Sequence, residues 1–251
     1  MRQFRLISRL DIKGPDLIKG VQLEGLRIIG NPSDYARKYY ESGIDELIYI
    51  DVVASLYGRN NLKEVVEKTA SQIFVPLTVG GGIRCVDDVE GLLRVGADKI
   101  CVNTAVIKDK TLINDIANRL GSQCCVVEIQ AKSVGSKKWI ALYDNGRENS
   151  GLDVIKWAQD AVSQGAGELI ITSVDRDGTR TGMDLELLKL ISSLVDVPVI
   201  GSGGVGDPQD IVSAVEYSGV DAIALGDILH NKRFSIEEIK NYLKLNNVGV
   251  R

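Results

Sequence analysis

The sequence predicts a single (β/α)₈ barrel built from two related half-barrels. Segments of the first half return in the second at an offset of roughly 120 residues, which is far longer than a solenoid period. GADKICVNTA (96–105) resembles GVDAIALGDI (219–228), and TVGGGIR (78–84) resembles IGSGGVG (200–206). Apolar β-branched runs alternate with helical segments, and glycine-rich turns follow the runs. This alternation and the length of 251 residues are typical of one such barrel.

The elements can be assigned in order along the chain. No linker appears, so residues 1–251 are expected to form one domain, with halves at about 1–121 and 122–251. The predicted strands are 4–12, 46–52, 75–81, 99–103, 124–132, 168–175, 198–204 and 221–226. The predicted helices cover 32–42, 61–73, 86–95, 109–119, 153–163, 184–193, 207–217 and 235–244. The long segment 13–32 is expected to be a lid or binding loop, and 133–150 a small hairpin over the mouth.

The composition excludes several classes of protein and site. A formal net charge of −4 does not favour nonspecific binding to nucleic acid. Four cysteines without a C-x-x-C pair and one histidine, His230, argue against a zinc site, and we expect no metal or cofactor. The N-terminus lacks the apolar core of a signal peptide, and no apolar run approaches about 18 residues. We therefore expect a cytoplasmic protein without a membrane span.

Charged residues are predicted inside the barrel. Because side chains alternate along a strand, the first strand places Arg5, Arg9 and Asp11 on one side and mostly apolar residues on the other. The apolar side faces the helices, so the charges face inward, where they are costly unless paired. Asp11 lies at the C-terminal end of its strand, which is the end that forms the mouth and carries the active site in such barrels.

Glycine-rich turns predict two phosphate subsites at the mouth. They follow the third and seventh strands and pair with the tops of the fourth and eighth strands, one set in each half. Backbone N–H groups of such turns, together with helix N-termini, can bind anions. The alternative is that glycine only relieves tight turns.

Five motifs resemble the cyclase subunit family of imidazole glycerol phosphate synthase. They are RLDIKG (9–14), TVGGGIR (78–84), ADKICVNTA (97–105), ELIITSVDRDGT (168–179) and IGSGGVG (200–206). The resemblance extends over nearly the whole chain. It implies a glutaminase partner whose ammonia passes up the barrel to a ribulosyl phosphate nucleotide, giving imidazole glycerol phosphate. The phosphate- or substrate-binding residues that we expect are Lys19, Asp51, Gly82, Asn103, Thr104, Asp177, Gly178, Gly204 and Gly226.

The resemblance also implies an acid/base pair, which this chain changes. The family uses two aspartates, on the first and fifth strands. Asp11 matches the first, but Gln130 stands at the second position and has no ionisable proton near neutral pH. The loss of a positioned acid/base group typically costs about 10²–10⁴-fold in rate.

Three more residues depart from the family pattern. Arg9 and Glu128 lie one inward step below Asp11 and Gln130, where the family has small, uncharged residues. We expect an Arg9–Glu128 ion pair across the interior, because neither charge should be buried alone. The alternative is a separate local partner for each. At the top of the eighth strand Asp227 replaces a small neutral residue, and its charge should weaken the C-terminal-half subsite.

The floor of the barrel, formed by the N-terminal ends of the strands, keeps the family pattern. Four residues match the charged ring that gates ammonia in the family: Arg5, Glu46, Lys99 and Glu168. Asp98 and Gln123 match positions that face the glutaminase. The alternative for the ring is a purely structural cluster that closes the floor.

An unchanged floor beneath an altered mouth leads to three functional hypotheses. The first is a subunit that docks a glutaminase and receives or relays ammonia, for amidination of a surface-polysaccharide sugar by a separate amidotransferase. This hypothesis follows from a resemblance to paralogues found with surface-polysaccharide genes. The second is the imidazole glycerol phosphate synthase cyclase of histidine biosynthesis. The third is a non-catalytic scaffold that only activates its glutaminase.

Overall fold

A computed structural model describes residues 3–54 and 62–251 and confirms the (β/α)₈ barrel. The strands are β1 (Arg5–Lys13), β2 (Asp16–Val21), β3 (Glu24–Gly30), β4 (Glu46–Asp51), β5 (Leu77–Gly80), β6 (Lys99–Val102), β7 (Cys125–Gly135), β8 (Lys138–Tyr143), β9 (Glu148–Asp153), β10 (Glu168–Ser173), β11 (Val199–Ser202) and β12 (Ala222–Leu225). Within the described residues, eight parallel strands close the wall in the order β1-β4-β5-β6-β7-β10-β11-β12 and back to β1.

Helices connect the barrel strands on the outside. They are α1 (Pro32–Glu41), α2 (Leu62–Ala70), α3 (Val86–Arg94), α4 (Thr104–Lys108), α5 (Thr111–Leu120), α6 (Val154–Ser163), α7 (Leu185–Leu194), α8 (Pro208–Ser218), α9 (Asp227–His230) and α10 (Ile236–Leu245). Residue 61, where the second helix was expected to begin, lies outside the described residues. None of the helices in 3–54 and 62–251 is long and apolar enough to cross a bilayer.

The segment 13–32 is a hairpin, so the expectation of a loop was wrong. Strands β2 and β3 pair antiparallel with each other, and β2 continues from the top of β1, with Asp11 opposite Ile18. Leu17 and Ile18 are buried, which gives β2 an apolar anchor over the mouth. The second expected hairpin is present: β8 pairs antiparallel with the upper part of β7, and β9 pairs with β8.

The alternation of side chains along the strands produces two apolar layers. The larger layer packs the outer face of the strands against the helices. A smaller cluster lines the barrel interior, with Ile7, Ile48, Val126, Ile170 and Ile200 among its members. Buried charged side chains lie at the floor and again toward the mouth.

Candidate functional site

Four charged side chains form a closed ring at the floor. Each is the first residue of its strand, so β1, β4, β6 and β10 bring them to one level. The Arg5 guanidinium donates to Glu46 at 2.9 Å and to Glu168 at 2.7 Å. Lys99 Nζ donates to the second oxygen of each carboxylate, at 2.9 and 2.8 Å. Two acids and two bases therefore neutralise one another around the barrel axis.

The electrostatics of the ring keep its members charged. Burial alone would raise the pKa of the Glu46 carboxyl, but Lys99 and Arg5 outweigh that effect and lower it. Burial opposes the charge on Arg5, yet Glu168 and Glu46 raise the pKa of its guanidinium.

A second polar cluster lies toward the mouth and is centred on Arg9. Its Nη1 lies 2.5 Å from Glu128 Oε1 and 3.0 Å from Thr172 Oγ1, and its Nε lies 2.9 Å from Asp11 Oδ1. The Thr172 hydroxyl also donates to Glu128 at 2.9 Å. All four residues are buried. Among the described residues, Arg9 Nη2 is buried without a hydrogen-bond partner.

This cluster changes the chemistry that Asp11 can perform. Burial would raise the pKa of the Asp11 carboxyl, but Arg9 and Lys19 lower it below its ordinary value. Asp11 is therefore an ion-paired carboxylate with little tendency to take up a proton. Gln130, the partner position on β7, lines the neighbouring cavity, and its Oε1 has no hydrogen-bond partner in the described part of the chain. The two positions do not form an acid/base pair.

The N-terminal half of the mouth contains an open cavity of about 320 Å³. Its wall includes four of the expected substrate-binding residues, namely Asp51, Gly82, Asn103 and Thr104, together with Gln130. Burial raises the pKa of the Asp51 carboxyl, which accepts from the Val53 N–H at 3.0 Å.

Glycine is required at the turn after β5. At Gly81 the backbone has φ of 103°, and a Cβ there would lie 2.3 Å from the Asp51 carbonyl oxygen. A side chain is therefore excluded by sterics as well as by conformation. The chain can approach a ligand closely at this turn.

The C-terminal half of the mouth is nearly filled. The remaining space is about 20 Å³. Lys19 Nζ lies 2.8 and 3.0 Å from the two carboxylate oxygens of Asp177. Arg180 binds Asp227 through two contacts, of 2.5 and 3.1 Å. The wall also contains the expected residues Gly178, Gly204 and Gly226, together with Arg9 and Asp11.

The remaining expected site residues lie at the floor. Asp98 is exposed, and its carboxylate accepts from the Leu77 N–H at 2.8 Å. Gln123 is also exposed. No cluster of three or more His, Cys, Asp or Glu side chains within 3–54 and 62–251 could hold a metal ion.

Comparisons with known proteins identify the family. The family described as "Histidine biosynthesis protein" matches residues 5–235. A Legionella pneumophila protein named imidazole glycerol phosphate synthase subunit HisF is 61% identical over 210 residues, which cover 84% of this chain and 99% of that protein. The chain belongs to the HisF-type cyclase family.

Two further relatives extend the match over the whole chain. The protein of the same name from Myxococcus xanthus is 44% identical over 247 residues, 98% of this chain and 97% of that protein. The one from Prochlorococcus marinus is 45% identical over 253 residues, 100% of this chain and 98% of that protein. The HisF-type resemblance found in the sequence motifs is confirmed.

One buried group in this HisF-type chain had no sequence signal. His230, on α9, accepts at Nδ1 from the Tyr39 hydroxyl at 2.8 Å and donates from Nε2 to the Arg9 carbonyl at 3.0 Å. The carbonyl can only accept, which fixes the tautomer. Burial lowers the pKa of His230 to about 4, so the imidazole is neutral at neutral pH. His230 therefore fixes the backbone at Arg9. Thr172 was also missed, although the inward alternation on β10 points to it.

His230 should make the protein less stable as the pH falls from about 6.5 toward 4. In this range the unfolded histidine, with a pKa near 6.5, takes up a proton that the folded imidazole does not bind. The free energy of unfolding should fall by about 1.5 kcal/mol between about pH 6.5 and pH 5 from this group. Urea denaturation of wild type and His230→Gln at both pH values measures the effect. A variant that keeps the full pH-dependent loss would contradict the assignment.

Proposed function

We propose that this chain is the ammonia-accepting subunit of a glutamine amidotransferase complex and that a glutaminase docks on its floor. The observation that carries the proposal is the closed ring of Arg5, Glu46, Lys99 and Glu168. Burying four charges is costly, and hydrophobic residues would close a barrel floor at least as well. A ring that holds them at the base of the barrel is consistent with a gate. The relatives, named as subunits of a synthase, support this proposal.

The floor also offers a surface for a partner. Phe74, which precedes β5, is 84% exposed, and Leu245, at the end of α10, is 82% exposed. Both lie on the floor side, because helices run back from the mouth to the floor. Asp98 and Gln123 add polar groups to the same end. Exposed large apolar side chains rimmed by polar groups are typical of protein interfaces.

We expect that adding this chain to the glutaminase raises the rate of glutamine hydrolysis at least about tenfold. The coupling free energy between two linked sites is ordinarily roughly 1–3 kcal/mol, which is enough for such an increase. Phe74→Asp should weaken the stimulation because it places a charge in the core of the interface. Ile28→Asp is the matched control, since Ile28 is 69% exposed on the hairpin at the mouth. The proposal is wrong if the wild-type chain leaves the hydrolysis rate unchanged or if the two variants behave alike.

For the reaction at the mouth, the names of the relatives favour the cyclase of histidine biosynthesis. In that reaction the ammonia would attack a ribulosyl phosphate nucleotide, which is split to give imidazole glycerol phosphate and an aminoimidazole ribotide. Asp11 would be the one retained member of the family's aspartate pair, and Gln130 could supply only hydrogen bonds. We expect the rate to be lower by about 10²–10⁴-fold than with a complete acid/base pair.

A second candidate is favoured by the Arg9 cluster. Here the chain would pass its ammonia to a separate sugar amidotransferase that amidinates a surface-polysaccharide sugar. The ring at the floor would still be needed, but an acid/base pair at the mouth would not. Replacement of that pair by Gln130 and an Arg9-bound Asp11 is consistent with this role. Stimulation of the glutaminase without transfer of nitrogen to any acceptor would instead favour a scaffold.

A further inference from the structure

We infer that the base of the larger mouth cavity, the one of about 320 Å³, binds an ammonium ion between the carboxylate of Glu128 and the side-chain oxygen of Gln130. The inference rests on the proposed function only in taking ammonium as the cation that reaches this place. Three observations support it: an unpartnered buried oxygen, a carboxylate whose counter-ion lies on its far side, and an excess of negative charge in the buried cluster.

The unpartnered oxygen belongs to Gln130. This residue is only 3% exposed and lines the larger cavity, and within residues 3–54 and 62–251 its Oε1 has no hydrogen-bond partner. A buried acceptor that is left unpaired is costly, so a ligand with an N–H donor gains affinity there.

Glu128 presents its carboxylate to the same cavity. It is buried, and it forms part of the cavity wall. Its hydrogen bonds from Arg9 and Thr172 both end on Oε1, and Oε2 accepts none from the described part of the chain. Arg9 approaches from the other side, since it lines the small space in the C-terminal half of the mouth. A ligand in the larger cavity therefore faces the carboxylate and not the guanidinium.

The buried cluster carries one more negative charge than positive charge. Asp11 and Glu128 are both ion-paired with the single guanidinium of Arg9. Lys19 lies close enough to lower the pKa of Asp11, but its own ion pair is with Asp177. A buried charge without compensation is costly, and a cation beside Glu128 would balance it.

The cationic side chains of the cavity wall lie at its solvent end. Arg84 and Lys108 line the cavity, but their side chains are 64% and 58% exposed. Each has a carboxylate of its own, Asp88 and Asp144 respectively, at 3.6 Å. The positive charge of the wall therefore lies toward solvent, whereas the carboxylate of Glu128 lies at the buried base.

The spacing of the two acceptors suits one small nitrogen. Glu128 and Gln130 are two residues apart on β7, so their side chains leave the same face of the strand about 6.6 Å apart. A charged N–H donor lies about 2.7–2.9 Å from its acceptor, so one nitrogen bridges two oxygens up to about 5.6 Å apart. The two side chains reach this separation by leaning slightly toward each other. Ammonium, with N–H groups in four directions, can donate to both oxygens at once.

The test is the equilibrium unfolding of the full chain in urea with increasing ammonium chloride, compared with the same concentrations of potassium chloride. Potassium has the same charge and nearly the same size but no N–H donors, so it reports the effect of salt alone. A ligand that binds only the folded chain raises the free energy of unfolding with its concentration, which yields its dissociation constant. We expect ammonium to stabilise the wild type more than potassium does.

Two variants locate the site. Glu128→Gln should weaken ammonium binding at least about tenfold, because it removes the charge and still leaves an acceptor for Arg9. Gln130→Leu should weaken it about fivefold by removing the second acceptor, and it decides the matter if Glu128→Gln does not fold. Glu41→Gln is the matched control on α1, where the side chain is 61% exposed, and it should leave ammonium binding unchanged.

Either of two results would overturn the inference: equal stabilisation of the wild type by ammonium and potassium, or variants at positions 128 and 130 that bind ammonium as tightly as Glu41→Gln does. The titration uses the chain alone and does not involve glutaminase. A failure here is therefore distinguishable from a failure of the ammonia-accepting role, which the hydrolysis assay reads.

Discussion

The triple variant Gln130→Asp, Arg9→Ser, Glu128→Ala is expected to convert a ribulosyl phosphate nucleotide with ammonium about 10²-fold faster than wild type. This factor is the lower end of the rate enhancement that a positioned acid/base group contributes. The substitution at position 130 restores an ionisable group. Arg9→Ser releases Asp11 from its ion pair at 2.9 Å, and Glu128→Ala removes the carboxylate that would otherwise lose its partner. The measurement is kcat for imidazole glycerol phosphate formation at saturating nucleotide, so that weak binding in the C-terminal half of the mouth does not mask the change.

Two controls keep this prediction specific. Gln130→Asp alone should gain little, because Asp11 remains paired with Arg9. Adding Asp11→Asn to the triple variant should remove the gain. A wild-type kcat equal to that of the triple variant would contradict the argument, since it would mean that Gln130 and a paired Asp11 are sufficient.

Arg9→Met is expected to destabilise the protein by about 3–5 kcal/mol, the usual cost of removing one partner of a buried ion pair. Arg9 is the counter-ion for both Asp11 and Glu128, and all three are buried. Methionine fills similar space but removes the ion-pair partner of both carboxylates. The measurement is the free energy of unfolding in urea at about pH 7, where unpaired carboxylates are ionised in the unfolded chain.

A double variant separates charge from packing. Arg9→Met with Glu128→Leu should recover part of the loss, because one of the two stranded charges is removed. Arg37→Met is the surface control. The side chains of Arg37 and Glu41 are each about 60% exposed, so the loss of this ion pair should change the free energy of unfolding by no more than about 0.5 kcal/mol. A loss below about 1 kcal/mol for Arg9→Met would show that the buried cluster does not depend on this charge.

Strand periodicity predicted the interior of the site. The alternation on β1 places Arg5, Arg9 and Asp11 inward, and the repeat of the half-barrel sets Glu128 at the matching level of β7. In a closed barrel, the two-residue period of a strand directs each side chain either to the interior or to the surrounding helices. For this reason the Arg9–Glu128 contact could be anticipated from residue order, whereas the floor ring was expected from its match to the family pattern.

The contacts that close the C-terminal half could not be anticipated. Lys19 and Asp177 are 158 positions apart and meet only because 13–32 folds as a hairpin over the mouth. That segment contains few strictly alternating residues, and glycines interrupt it, so its strands give a weak signal. His230 and Tyr39 are 191 positions apart, and no local pattern links them. Side chains on connecting segments depend on tertiary packing rather than on strand period.

The most direct test of the whole account follows the nitrogen in the reconstituted complex. The chain, its glutaminase and the ribulosyl nucleotide are mixed with glutamine that is isotopically labelled in its amide nitrogen. We expect accelerated glutamine hydrolysis, with most of the label released as free ammonium and only a small fraction in imidazole glycerol phosphate. Label transferred to imidazole glycerol phosphate in a one-to-one ratio with glutamine hydrolysed would contradict the account, because the mouth would then be a complete cyclase despite Gln130 and Arg9.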